Sequence, residues 1–262
     1  MKNQNIIITG GATRIGAEIA KNLADENVKI TIHYNKSNTN AKALKKVLEK
    51  KGSKVFLIKG NLTKTKDLKK IMNFAKKNMK KIDCLINNAS LFENDNINNF
   101  TNKSWENHLN TNLRAPALLS KEFAKLISKK SDGCIINIID QRIFKPTPHF
   151  FSYTLSKIGL QTLTKLTAMG LAPNIRVNGI APGPTLKNIR QSKKNFKKQY
   201  LSTLLKKQVN TEDICSAVKF FMENKSITGQ IIAVDSGQSL NWKTTDIIGI
   251  KEWKKTKIIL LN

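Results

Sequence analysis

Short, almost wholly apolar runs alternate along this chain with longer stretches whose apolar residues recur every three or four positions. The apolar runs are NIIITGG, KITIHY, KVFLIKG, DCLINNAS, CIINIID, IRVNGIAPGP and QIIAVDSG. Between them lie IGAEIAKNLADEN, with Ile15, Ile19, Ala20 and Leu23 on one face, and NTNAKALKKVLEKKG, where Leu44, Val47 and Leu48 form a stripe and Gly52 supplies a stop. Leu68, Ile71, Met72, Ala75 and Met79 trace a further amphipathic helix. A helical region spans about 101–130, and SYTLSKIGLQTLTKLTAMGLA is a long helix. Strands that alternate with helices predict a parallel sheet, because each parallel crossover needs a helix. Strands apolar throughout fit a sheet covered on both faces.

The chain has 262 residues and is 40% hydrophobic, enough for a sizeable core in one large unit. The domain is expected over 1–240, with 241–262 a tail of no assigned role. Within the domain, 184–210 (including LKNIRQSKKNFKKQ) reads as a substrate flap rich in cations. No stretch approaches the length of a membrane span, and the apolar start is too short for a secretory signal. Cys84, Cys134 and Cys215 show no paired metal spacing, so reduced thiols in a cytoplasm are expected.

The net charge of +28 invites a nucleic-acid reading. Yet it comes from 41 Lys and only 5 Arg, beside 29 Asn, which is the signature of A/T-rich codons. Phosphate readers draw on the planar fork of arginine as well. The lysines are therefore read as solvated surface, with polyanion attraction that fades as salt rises.

Three strings carry chemistry. Thr9-Gly10-Gly11-Ala12-Thr13-Arg14-Ile15-Gly16 joins a strand to a helix, where glycines let backbone approach a pyrophosphate at the helix start. His33-Tyr34-Asn35-Lys36-Ser37 ends the second strand without the acid that grips a ribose 2′-hydroxyl, and Arg14 adds a cation. A cation with hydroxyl and amide donors suits a 2′-phosphate, so NADPH is favoured over NADH. Tyr153 and Lys157 stand four apart, on one helix face, where an ammonium can lower the pKa of a phenol and ready it for proton transfer. The expected fold class is α/β, a Rossmann-type doubly wound parallel sheet of about seven strands in three αβα layers.

Together with Asn87-Asn88-Ala89, Asn112 and Pro182-Gly183, these strings resemble the short-chain dehydrogenase/reductase family over about 5–240. Four features are similar to its pteridine reductases, including the dihydromonapterin- and dihydrofolate-reducing bacterial branch. Asp140 replaces the usual serine thirteen residues before the tyrosine, and Arg14 stands where a glycine is common. The string from His33 to Ser37 looks like the H-Y-x-x-S version, and Phe92 follows the turn Asn88-Ala89-Ser90-Leu91.

The resemblance implies NADPH-dependent reduction of a pterin ring, in a cytoplasmic homo-oligomer with a tetramer favoured. It implies a cofactor site from Gly10, Arg14, Ile15, Gly16, the residues from His33 to Ser37, Asn61, Leu62, Asn88, Ala89, Ser90, Pro182 and Gly183. In that site His33 touches the adenosine ribose phosphate, and Asn61 departs from the family's aspartate against the adenine. Lys157 would hold the nicotinamide ribose, and Asn112 would support the proton path. Phe92 would lie over the pterin, and Ser90 would orient its amino-pyrimidine edge. Asp140 and Tyr153 would supply the proton. No metal is expected, nor specific nucleic acid or membrane contact. The enzyme alternative is a carbonyl or enoyl reductase, and the alternative from another class is a dinucleotide-binding sensor or scaffold without turnover.

Overall fold

The computed structural model describes residues 4–128 and 132–242 of the chain. Seven strands pair in parallel: β1 (Asn5–Ile8), β2 (Lys29–Tyr34), β3 (Lys54–Lys59), β4 (Cys84–Asn87), β5 (Gly133–Ile138), β6 (Ile175–Pro182) and β7 (Ile231–Val234). Their order is β3-β2-β1-β4-β5-β6-β7. The helices are α1 (Arg14–Leu23), α2 (Asn38–Glu49), α3 (Thr65–Met79), α4 (Asn102–Leu109), α5 (Ala115–Ala124), α6 (Phe151–Leu171), α7 (Lys193–Leu201) and α8 (Thr211–Glu223).

The period-two alternation of strand side chains divides the core. Ile6 and Ile8 enter one apolar cluster with α1, α2 and α8, whereas Ile7 enters the other with α3 and α5. Cys84 and Ile86 likewise part from Leu85. Both sheet faces are thus covered, which explains why the strands carry no polar alternation.

The expected single helical region over 101–130 is interrupted. A π turn over Asn110–Arg114 joins α4 to α5, and it places Asn112 wholly inside the protein. Such turns insert one extra residue and recur at functional sites. The 184–210 segment contains α7, whose N-cap Ser192 accepts from the Asn195 N–H. Trp105 packs against Phe100 and Phe151, at ring-centroid distances of 5.6 and 6.2 Å. Trp253 and the rest of 243–262 lie outside the described residues. No helix among the described residues is long and apolar enough to cross a membrane. Among them, too, no group of three His, Cys, Asp or Glu side chains could hold a metal.

The strand order reverses at β1, which has β2 on one side and β4 on the other. Open α/β sheets bind ligands beyond the carboxyl ends of the strands at such a point. The loops leaving β1, β2, β4, β5 and β6 all open there.

Candidate active site

The turn after β1 is built for close backbone approach. Gly10 has φ +59°, and a Cβ there would stand 2.8 Å from Ala89 Cα. A Cβ on Gly16 would stand 2.4 Å from Asn88 Nδ2 and 2.6 Å from the Gly10 carbonyl oxygen. Only glycine fits either place. Asn88 fixes the turn by donating Nδ2 to the Thr9 and Gly10 carbonyls at 3.0 and 3.1 Å, while the Thr9 hydroxyl accepts from the backbone of Asn88 and Ala89. Ile15 leads into α1 behind the turn. On the far side, Gly183 approaches Asp235 so closely that a Cβ would lie 2.6 Å from its Cα, directly after Pro182 ends β6.

His33 is not the phosphate contact expected. It is 2% exposed, and both ring nitrogens are committed: Nδ1 accepts from the Gly10 N–H at 3.2 Å and Nε2 donates to the Gly60 carbonyl at 3.1 Å. Burial pulls its pKa down to about 4, so the ring is neutral and acts as a strut for the glycine turn. The exposed group at the end of β2 is Asn35 with Lys36, beside Ser37, which starts α2 without a side-chain cap bond. Tyr34 donates its hydroxyl to Asn38 Oδ1 at 2.9 Å. Asn61 turns its Oδ1 to Thr63, and its own N–H is held by Asp67 at 2.7 Å, just before buried Leu62.

Arg14 adopts φ +55°, a conformation in which glycine would be at ease. Its guanidinium reaches across to donate to the Leu186 and Lys187 carbonyls, each at 3.0 Å. Two of its five N–H groups are used this way, and three remain for an anion. The same side chain therefore ties the glycine turn to the 184–210 segment.

The second half of the site gathers at the end of β5 and on α6. Tyr153 donates its hydroxyl to Asp140 Oδ2 at 2.7 Å. Lys157, one turn further along α6, donates Nζ to the Ile138 carbonyl at 2.9 Å and lies 5.7 Å from the Tyr153 ring centroid. Asn112 clamps the turn that follows β4, accepting from the Leu91 N–H at 2.8 Å and donating to the Leu91 carbonyl and the Ser156 hydroxyl, each at 3.0 Å. The Ser90 hydroxyl donates to the Asn112 Oδ1 at 3.2 Å. All four sequence-derived catalytic residues thus meet in one place, together with Ser90.

The expected lowering of the phenol by Lys157 does not hold. Burial, the Asp140 charge and the bond to Asp140 together raise the Tyr153 pKa well above its usual value. Arg142 and Ser90 oppose that rise. Burial pulls Lys157 down to about 8, against the Asp140 charge. The phenol therefore stays protonated across the working pH range, with the Asp140 carboxyl on its oxygen.

Phe92 borders this cluster. Its ring meets Tyr153 edge-on at 4.6 Å and stacks on Phe150 at 4.3 Å with 6° between the planes. Arg142 lies over the Phe150 ring at 4.8 Å. Sequence reading missed both Phe150 and Arg142. The only signal was the scarcity of arginine, two residues beyond Asp140.

It also missed what holds α6 in place. Phe150 stands at the helix start with φ +57° and offers no cap. Asp95 caps the helix from another loop, with Oδ1 accepting from the Ser152 N–H at 3.0 Å and Oδ2 accepting from the Ser152 hydroxyl. His108 completes the network: its Nε2 accepts from the Glu93 N–H at 3.2 Å, which leaves Nδ1 to donate to the Ser152 oxygen at 2.7 Å. His108 is thus structural.

Glycines shaped to receive a pyrophosphate, with a protonated phenol and a lysine one helical turn apart across the same sheet edge, are the equipment of a dinucleotide-dependent oxidoreductase. The chain belongs to the short chain dehydrogenase family, whose model matches residues 4–198. Among solved structures it is similar to FolM alternative dihydrofolate reductase 1 from Brucella canis complexed with NADP. That likeness has 38% identity and a TM-score of 0.90, covering 94% of this chain and 97% of that one. A short chain dehydrogenase from Burkholderia cenocepacia in complex with NADP is 25% identical at a TM-score of 0.85, covering 90% of this chain and 98% of that one. Among curated proteins, the 3-oxoacyl-(acyl-carrier-protein) reductase FabG of Staphylococcus epidermidis is 28% identical, covering 90% of this chain and 98% of its own length.

Proposed function

We propose that this protein is an NADPH-dependent pteridine reductase acting on a dihydropterin or dihydrofolate. The observation that carries the reading is the Tyr153–Asp140 pair at 2.7 Å, walled by the Phe92 ring. A carbonyl reductase needs a donor to the oxygen and one proton for the alkoxide. A pterin C=N bond instead needs a proton on a ring nitrogen as hydride reaches the neighbouring carbon. If the Tyr153 O–H turns from Asp140 to the ring nitrogen and gives up its proton there, a protonated Asp140 carboxyl, half-buried and open to solvent, would return a proton to the phenolate across the same 2.7 Å. The stacked Phe92–Phe150 pair offers an apolar aromatic wall beside Tyr153 for a heteroaromatic ring. When bound, NADPH supplies the hydride.

The residues present fit that cofactor. Gly10 and Gly16 have no room for a Cβ, and Arg14 and Lys36 with Ser37 supply the positive, donor-rich end that a 2′-phosphate requires. Lys157, still an ammonium below pH of about 8, is placed to hold the nicotinamide ribose. The NADP in the Brucella and Burkholderia structures supports this reading.

Two results are expected from it. NADPH should be preferred over NADH at least tenfold, since a charge-assisted bond is worth about 1.5–3 kcal/mol and about 1.4 kcal/mol is a factor of ten. Arg14→Ala should mainly raise the KM for NADPH, and equal KM values for the two cofactors in the unaltered protein would contradict this. The kcat/KM for NADPH should fall as pH rises through about 8, because Lys157 then loses the charge that binds the ribose. A flat profile from pH 7 to 10 would show that the charge of Lys157 is not needed.

A second reading is favoured by the curated relatives named as 3-oxoacyl reductases. The deciding experiment is NADPH oxidation over dihydrofolate, dihydromonapterin, biopterin, simple ketones and a 3-oxoacyl thioester. Turnover of the pterins is expected, and turnover of ketones or thioesters alone would replace this reading with the second one. The cytoplasmic setting is supported by three free, buried cysteines. A homo-oligomer is supported by Leu155, Leu166 and Met169, exposed at helical spacing on α6.

A further inference from the structure

We propose that Arg142, with Phe150, determines substrate specificity by reading an acidic aromatic arm, so that the preferred pterin carries an aroyl-glutamate tail rather than a short neutral side chain. This rests on the pterin reading above and says which pterin the site selects.

The chain has five arginines. In four of them the guanidinium has a polar partner within the fold. Arg14 holds the carbonyls of Leu186 and Lys187, and Arg114 donates to the Thr65 hydroxyl at 2.7 Å. Arg176 is buried against the carbonyls at the end of α8, and Arg190 faces Glu93 at 3.8 Å. The Arg142 guanidinium has no hydrogen bond or ion pair among the described residues. Only its backbone N–H is engaged, donating to Asp140 Oδ1 at 2.8 Å.

Its position adds to its chemistry. That backbone bond anchors Arg142 on the catalytic acid, on a 3-10 turn over Gln141–Ile143. Its guanidinium lies 4.8 Å from the Phe150 ring centroid and 6.0 Å from that of Phe92. Phe92 in turn touches the ring of Tyr153. Phe92, Phe150 and the planar cation therefore form one cluster against the proton donor, with the cation beside both rings. A substrate that reacts at Tyr153 and extends over this cluster meets an apolar aromatic wall and a fork of free donors side by side. An aromatic ring that carries carboxylates matches that pairing, because aromatic groups pack together and a guanidinium takes a carboxylate in two parallel bonds. A polyol side chain offers neither partner.

The acids near Arg142 do not satisfy it. Asp140 is occupied by Tyr153, Asp95 by Ser152 and Ser104, and Glu93 by Arg190. The 2′-phosphate end of the cofactor site lies at Arg14, after β1, whereas Arg142 follows β5 on the substrate side.

The test compares Arg142→Ala and Arg142→Lys with the unaltered enzyme, using dihydrofolate and dihydrobiopterin as substrates. Arg142 also bears on Tyr153, so a fall in kcat shared by both substrates is expected and decides nothing about selectivity; the ratio of KM changes is the readout. Arg142→Ala should raise the KM for dihydrofolate at least about tenfold more than that for dihydrobiopterin, with Arg142→Lys between. p-Aminobenzoyl-glutamate alone should inhibit the unaltered enzyme competitively against dihydrofolate, and lose that effect in Arg142→Ala. Equal KM changes for the two pterins, or unaltered inhibition by the free tail, would overturn the proposal and leave the pterin reading standing. An unaltered enzyme that reduces neither pterin would overturn both.

Discussion

Asp140→Asn is expected to lower kcat for a dihydropterin by about 10²–10⁴-fold, the span for losing a general acid, while the dissociation constant of NADPH stays nearly unchanged. Asparagine keeps the size of the side chain and one oxygen, which can still accept from the Arg142 N–H as Oδ1 does now at 2.8 Å, while its Nδ2 can only donate to the Tyr153 oxygen that now donates to Oδ2 at 2.7 Å. What it removes is the carboxyl that, on the pterin reading, would take a proton from solvent and pass it inward. The glycine turn, Asn88 and Arg14 lie on other loops and feel none of this. The variant should therefore separate chemistry from cofactor binding. Near-normal pterin turnover in steady-state assays would show that Tyr153 suffices as proton source and that Asp140 only caps the turn over Gln141–Ile143.

Tyr153→Phe should cost about as much, again about 10²–10⁴-fold in kcat. The ring contact with Phe92 survives, so packing changes little. The loss is the O–H that burial and Asp140 keep protonated well above the usual phenol range. If the two groups work as one proton line, the double variant Asp140→Asn/Tyr153→Phe should be scarcely slower than the worse single variant. Multiplicative losses in the double variant would mean that the two groups act in separate steps.

Much of this site was legible in the sequence because its parts are local. The glycine turn, the end of β2, and Tyr153 with Lys157 are each a short string whose spacing fixes its own geometry. The seven strands were legible for the same reason, as apolar runs between amphipathic helices. Contacts across long separations were not. Asp95 caps α6 at Ser152, 57 residues away, and no local pattern marks it as a cap. His33 looked like a surface donor beside polar neighbours, but it closes the glycine turn 23 residues back and is buried by doing so. The π turn at Asn112 adds one residue to a helix without disturbing the apolar pattern enough to be seen. The electrostatics of Tyr153 went wrong for a similar reason. Sequence spacing put the Lys157 charge beside the phenol, whereas folding brought Asp140 onto the hydroxyl and committed Lys157 to the Ile138 carbonyl.

The central claim is that hydride goes to a pterin ring carbon while the Tyr153–Asp140 pair protonates the adjoining nitrogen. Its most direct test is to incubate the enzyme with NADPH deuterated at the transferable position, together with dihydrofolate and a 3-oxoacyl thioester in competition, and to analyse the products by mass spectrometry and NMR. The account predicts one deuterium on the reduced ring carbon of the tetrahydropterin, and a loss of that product in Asp140→Asn. Deuterium found only on the hydroxyl-bearing carbon of the reduced thioester would contradict it.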